Sequence, residues 1–318
     1  MPDWLIERGI GETRAVRLDA GEIVEARIQL EDVVPAGTVI HARLTDIGTT
    51  GRNAVAAAGD AREYLLPVAP GGVTQGARIS IEVTREAVPG AEPWKRPLAR
   101  ITDQAPRPAI ELGGEVLPFP SPEDRLEQAE WSDLLEEARS GIVRFRGGEL
   151  RVSLTPAMTL IDVDGHLPPA KLAMAGAQAA ARAILRHGIA GSIGIDLPTV
   201  PGKAQRQEIG TAVDAILPEP FERTAVNGFG FLQIVRPRAR ASLFELAGDR
   251  AAFEARALLR RVSLERSGAT TLAAHPAVIR VLEQNTAWIE QLSRQIGGAV
   301  TLRSDTSLPI HGAYAQGC

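Results

Sequence analysis

The chain has 318 residues, 44% hydrophobic and 23% charged, with a net charge of −4. That composition fits an ordinary globular protein with room for two or three domains, and it excludes nucleic-acid binding through overall positive charge, so any electropositive face must be local. One cysteine, Cys318, excludes an internal disulfide and a multi-cysteine metal site within one chain; the charged opening stretch MPDWLIERGIGETR does not read as a signal peptide, and no run approaches the ~18 apolar residues of a membrane helix, so the expected location is cytoplasmic, with no membrane partner.

In chain order, Thr13–Leu18 and Glu22–Leu30 read as strands around the turn Asp19-Ala20-Gly21. Five short β-like runs follow between residues 36 and 102: Thr38–Leu44, Asn53–Ala57, Glu63–Pro67, Ala77–Thr84 and Pro97–Ile101. Turn residues separate them, which predicts a small β-barrel of oligonucleotide-binding type. Such barrels stack bases on exposed aromatics. Here the candidates are Tyr64 and Trp94, and for Tyr64 packing inside the barrel is the favoured alternative.

Residues 103–124 are dense in Pro and Gly and read as a linker. A helix is expected over Ser121–Arg139, with Ser121 as its cap and Gly141 beyond its end. Ile142–Arg146 and Glu149–Leu154 read as strands joined at Gly147-Gly148.

The next stretch is the most informative. The apolar run Met158–Val163 carries Asp162 and is followed by Asp164. An alanine-rich helix, opened by Pro168-Pro169 and ended by Gly188, leads to a second short apolar run, Ser192–Ile195, which ends on Asp196. A strand–helix–strand crossover of this length makes the two strands parallel. Ligands bind beyond the carboxyl ends of such strands, and adjacent strands lie ~4.8 Å apart, so carboxylates on both could reach one cation. Mg²⁺ suits such a set, with one or two carboxylates, waters and substrate phosphate, and Mn²⁺ could replace it. Strand-end aspartates that merely cap a turn are the competing reading.

A helix is expected over Lys203–Leu217, with Lys203 and Arg206 on one face, either meeting a phosphate or simply solvated. Phe229–Val235 reads as a buried strand, followed by Arg236, Arg238 and Arg240, a local basic patch or a solvated edge. Two tail helices, Arg250–Glu265 and Pro276–Ile296, precede a strand at Ala299–Arg303.

The run GGELRVSLTPAMTLIDVDG, the alanine-rich helix, GIAGSIGID and FGFLQIVRPRARASL, in that order, resemble the catalytic region of the ribonuclease E/G family over about Gly147–Leu243. HPAVIRVLEQNTAWIEQLSRQIGGAVTLRSD resembles that family's small C-terminal domain, and VTQGARISIEVTREAVPG its S1 barrel. The resemblance implies an α/β protein with an inserted all-β barrel. Its expected parts are opening strands of a ribonuclease-H-like subdomain (1–35), an S1-like barrel (36–102), a linker, helix and return (103–146), an α/β catalytic domain (147–246) and a small α/β tail (247–318).

It also implies a Mg²⁺-dependent endoribonuclease acting on single-stranded RNA, in which Asp162 and Asp196 match the family's metal-binding catalytic aspartates and Asp164 stands where the family has asparagine. RNA contacts are expected from Tyr64, Lys203, Arg206, Arg223, Arg236 and Arg238, Arg223 matching a sensor arginine only across a gap. The chain departs from the family in a shorter loop after Val163, in Lys171, Leu172 and Ala173 where the family has asparagines, in lacking room for a full 5′-monophosphate sensor, and in lacking the paired cysteines that share zinc between subunits. Cleavage should therefore depend little on a 5′-monophosphate, no structural zinc is expected, and any oligomer must use another surface. A non-catalytic RNA-binding protein of the same descent, or a hydrolase of other phosphate esters on the same scaffold, are the rival readings.

Overall fold

The computed structural model describes residues 4–48, 53–59, 62–67, 71–90 and 95–317. It is a mixed α/β structure that divides into two bodies: residues 1–31, 113–235 and 242–318 form one, and residues 32–112 with 236–241 form the other. Among the described residues no helix is long and apolar enough to cross a membrane.

The first body opens with β1 (Trp4–Arg8), β2 (Glu12–Asp19) and β3 (Glu22–Leu30). The hairpin turn falls at Ala20-Gly21, as the sequence implies. The second body holds β4 (Val39–Asp46), β5 (Ala54–Ala58), β6 (Glu63–Leu66), β7 (Arg78–Arg85) and β8 (Leu98–Ile101), closed into a five-stranded barrel in the order β4-β5-β6-β8-β7. All five strands lie where runs separated by turn residues place them. Small side chains, Ala42, Ala54, Ala56 and Ala99, fill its core around Leu44, Tyr64, Leu66, Ile81 and Val83.

Back in the first body, β9 (Gly114–Leu117) pairs in parallel with β1, making a four-stranded sheet β3-β2-β1-β9. This strand lies inside the expected linker, since its pairing is with residues more than a hundred positions away. The helix expected from Ser121 starts later: a single 3-10 turn at Glu127–Ala129 precedes α1 (Trp131–Ser140), and Gly141 ends it in the left-handed conformation. Asp124 accepts both from the Glu127 amide at the start of the 3-10 turn and from the buried Arg260.

Six strands then build the central sheet: β10 (Ile142–Phe145), β11 (Gly148–Leu154), β12 (Thr159–Gly165), β13 (Gly191–Asp196), β14 (Glu222–Arg223) and β15 (Phe231–Arg236), in the order β10-β11-β12-β13-β15-β14. Between them run α2 (Pro169–Arg186) and α3 (Lys203–Asp214). The alanine-rich face of α2 packs on β11 and β12, and α2 also meets β3 and α3. The closest approach is at Gly176, where any side chain would collide with Val163 on β12. His187, at the end of α2, is fully buried; its Nε2 lies 2.9 Å from Glu137 and its ring packs on Phe244 of α4 (Leu243–Gly248).

The tail comprises α5 (Arg250–Glu265), β16 (Thr270–Ala274), α6 (Pro276–Gln284), α7 (Thr286–Ile296), β17 (Val300–Ser304) and β18 (Tyr314–Gly317). The helix expected over Pro276–Ile296 is two helices. It breaks at Asn285, whose side-chain amide donates to the Val281 carbonyl. The apolar faces of α5, α6 and α7 meet the sheet β17-β16-β18 in one core.

A buried ionic network fastens α5 to the opening strands. Arg14, 1% exposed, donates to Glu7 at 2.6 Å and to Glu12 at 2.7 Å. Arg260 donates to both oxygens of Glu7 and to Asp124, and Arg256 to Glu12. Every carboxylate in it is shared or paired, the condition under which buried charge is tolerated.

Candidate active site

Alternation along β12 sends Ile161 and Val163 into the core and leaves Asp162 and Asp164 exposed on the opposite face. β12 and β13 run parallel in a register that sets Asp162 beside Asp196, the last residue of β13. β11 runs antiparallel on the other side, with Arg151 opposite Asp162 and Glu149 opposite Asp164. Partners across a ladder share a face, so five charged side chains gather on the face away from α2.

Four of the five are acidic. Arg151 donates to Glu149 at 2.7 Å and its Nε lies 3.8 Å from Asp164. Desolvation at the sheet surface, then the charges of Asp164 and Asp196, push the Asp162 carboxyl above its ordinary range, against the Val163 amide and Arg151. Crowded like charges on an open surface are relieved by a cation.

The donor set fits a hard divalent ion. Mg²⁺ keeps several waters and needs only one or two protein carboxylates, and the Asp162–Asp196 pair on adjacent strands offers two. Among the described residues no three His, Cys, Asp or Glu side chains are drawn together into a finished cage; the aspartates share a face and a register without converging.

The expected RNA contacts fare unevenly. Lys203 is exposed at the start of α3, seven residues after Asp196. Arg206, on the same helix, donates through Nη1 to the carbonyls of Val200 and Pro201 at 2.8 and 2.7 Å, so it braces the loop that follows Asp196. Arg223 is engaged elsewhere: its Nε and Nη2 both bond Asp214 of α3 at 2.6 Å and Nη1 donates to the Thr224 carbonyl, so it clamps β14 to α3 on the helix side of the sheet.

The structure corrects the expectation for Tyr64. It is 1% exposed within the barrel core, and its ring has no face to offer a base. Trp94 lies outside the described residues. Arg236 ends β15 and Arg238 follows it; both are half-buried and belong to the segment 236–241 that clusters with the barrel body.

Two residues of the face, Glu149 and Arg151, were not among the expected site residues. Their signal was present in the alternation Glu149-Leu150-Arg151-Val152-Ser153, which puts both on the side of β11 that faces Asp164 and Asp162. No family model matches the chain, and no curated protein matches it, so the register of β11, β12 and β13 is the ground on which a function must be argued.

Proposed function

We propose that the protein is a Mg²⁺-dependent endoribonuclease acting on single-stranded RNA, a reduced relative of the ribonuclease E/G family that works in the cytoplasm. The observation that carries the reading is the parallel pairing of Asp162 with Asp196 on an exposed sheet face, with Asp164 two residues further along the same strand. In this reading the five-stranded barrel is S1-like and the opening strands belong to a ribonuclease-H-like subdomain.

Asp162 and Asp196 would hold the ion, and Asp164 would orient water beside it. Bound Mg²⁺ supplies Lewis-acid activation of water and stabilises charge developing on a phosphodiester. Arg151, tied to Glu149 and close to Asp164, offsets part of the negative charge on this face and limits its repulsion of an RNA phosphate. Lys203, exposed where the chain enters α3, is the side chain best placed to meet a flanking phosphate.

The test is a fluorescent single-stranded RNA incubated with Mg²⁺ or with EDTA, beside the double variant Asp162→Ala, Asp196→Ala. Internal cleavage that needs both the metal and the aspartates is the expected result, and it should be similar on 5′-hydroxyl and 5′-monophosphate substrates. Binding without cleavage under every condition would favour the non-catalytic RNA-binding reading.

A further inference from the structure

We propose that Phe229 is a stacking platform for an unpaired base, placed beside the carboxylate face. The proposal rests on the single-stranded RNA reading above and names a contact which that reading otherwise lacks. Tyr64, one of the two expected stacking residues, is sealed in the barrel core.

Phe229 is 85% exposed, more than any other aromatic among the described residues. A phenylalanine on a loose loop would say little, but this turn is braced at Asn227, Phe229, Gly230 and Phe231. The Asn227 side-chain oxygen accepts from the amides of Phe229 and Phe231 at 2.9 and 3.0 Å. The backbone closes the same turn from Asn227 to Phe231 and from Gly230 to Asn227.

The turn is also fastened to the chain that leaves the candidate site. The Leu197 amide donates to the Gly230 carbonyl at 3.2 Å, and the Thr199 hydroxyl donates to the Phe229 carbonyl at 3.3 Å. Gly230 has φ +96, and a side chain there would collide with the Leu197 carbonyl, so only glycine lets the turn seat this closely. Leu197 directly follows Asp196. The ring is thus held outward by bonds to the residues one and three positions beyond a candidate catalytic carboxylate.

The surroundings select the occupant. Asn227, Gly228, Gly230 and Thr199 present no apolar neighbour large enough to make a protein-docking patch with Phe229. A single flat ring in a polar setting matches a single flat base. Phe231, where β15 begins, lies against Gly194, and Gln233 bonds Ser192 across to β13. Stacking also answers an electrostatic problem. A chain of net charge −4 with a cluster of acids at its site gains little from phosphate attraction, whereas every base has a π-face.

The test uses the whole protein and a short single-stranded RNA carrying 2-aminopurine at successive positions, with Ca²⁺ in place of Mg²⁺ to slow hydrolysis. Binding of the wild type should quench the probe at one position in particular. Phe229→Ala should lose that quench and bind about 5- to 100-fold more weakly, with an unchanged melting temperature because the side chain is exposed. Phe229→Trp should keep both signals, and Phe229→Leu, apolar but without a π-face, should behave like the alanine variant. Wild-type binding and quenching by Phe229→Ala, or full rescue by leucine, would overturn the stacking role while RNA cleavage by the wild type left the nuclease reading intact. A wild-type protein that neither binds nor cuts the RNA would overturn both.

Discussion

Two clusters of charged side chains in the same body are built on opposite terms. Glu7, Glu12, Asp124, Arg14, Arg256 and Arg260 alternate in sign, lie mostly buried and pair with one another through six hydrogen-bonded contacts. Glu149, Asp162, Asp164 and Asp196 share one sign and an exposed or half-exposed face, with Arg151 as the cation among them. The first arrangement lowers its own electrostatic energy and holds β1 and β2 to α5. The second leaves repulsion in place at the end of a strand, where a visiting cation would relieve it. Charge that is left uncompensated in the folded state is the better indicator of a binding site.

Breaking the paired cluster should give the largest effect. Arg260→Ala strands Glu7 and Asp124 without one shared cation and should cost about 3–5 kcal/mol, read as a lower urea midpoint at unchanged slope. Next comes the packing that fixes the carboxylate strand. Gly176→Ala forces a methyl group against Val163, between Asp162 and Asp164, and should cost about 1–3 kcal/mol; it should also weaken Mg²⁺ binding although residue 176 touches no ion.

A smaller effect belongs to pH. Burial holds the His187 imidazole below its ordinary value of 6.5, with Glu137 opposing only in part. The folded state resists the proton that the unfolded chain accepts, so stability is complete above pH 6.5 and falls as pH drops below it. Thermal melts across that range should show the decline in wild type and a shallower one in His187→Gln. The smallest effect is at the open cluster. The raised Asp162 carboxyl means that the folded state disfavours its charge, a penalty present once pH exceeds the folded value. Asp162→Asn should therefore melt about 1 °C higher than wild type in EDTA, a gain that Mg²⁺ should cancel or reverse by stabilising wild type alone.

Much of this could be read from the residues, and the failures have physical causes. The barrel strands were legible because glycine- and proline-bearing turns separate them, and α2 because Pro168-Pro169 and a run of alanines define it. Asp162, Asp164 and Asp196 were legible as strand-end carboxylates. β9 was not, because its order comes from pairing with β1 and not from its own proline-rich neighbourhood. The break at Asn285 was hidden by apolar residues continuing on both sides. The commitment of Arg223 to Asp214 depends on how β14 meets α3, which spacing does not reveal. α4 was missed although its signal was present: Ser242 and Glu245 form a reciprocal cap at the spacing that announces a helix start. Phe229 was read as the start of a buried strand, yet the strand begins at Phe231 and the turn before it turns the ring outward.

The most direct test of the central claim is a calorimetric titration of the wild type and of the variant Asp162→Asn, Asp196→Asn with Mg²⁺, followed by Mn²⁺. One saturable divalent-cation site is expected in the wild type and is lost in the variant, with both proteins folded. Equal heats in the two proteins, or no saturable binding in either, would contradict it and leave the aspartates as strand-end residues without a metal.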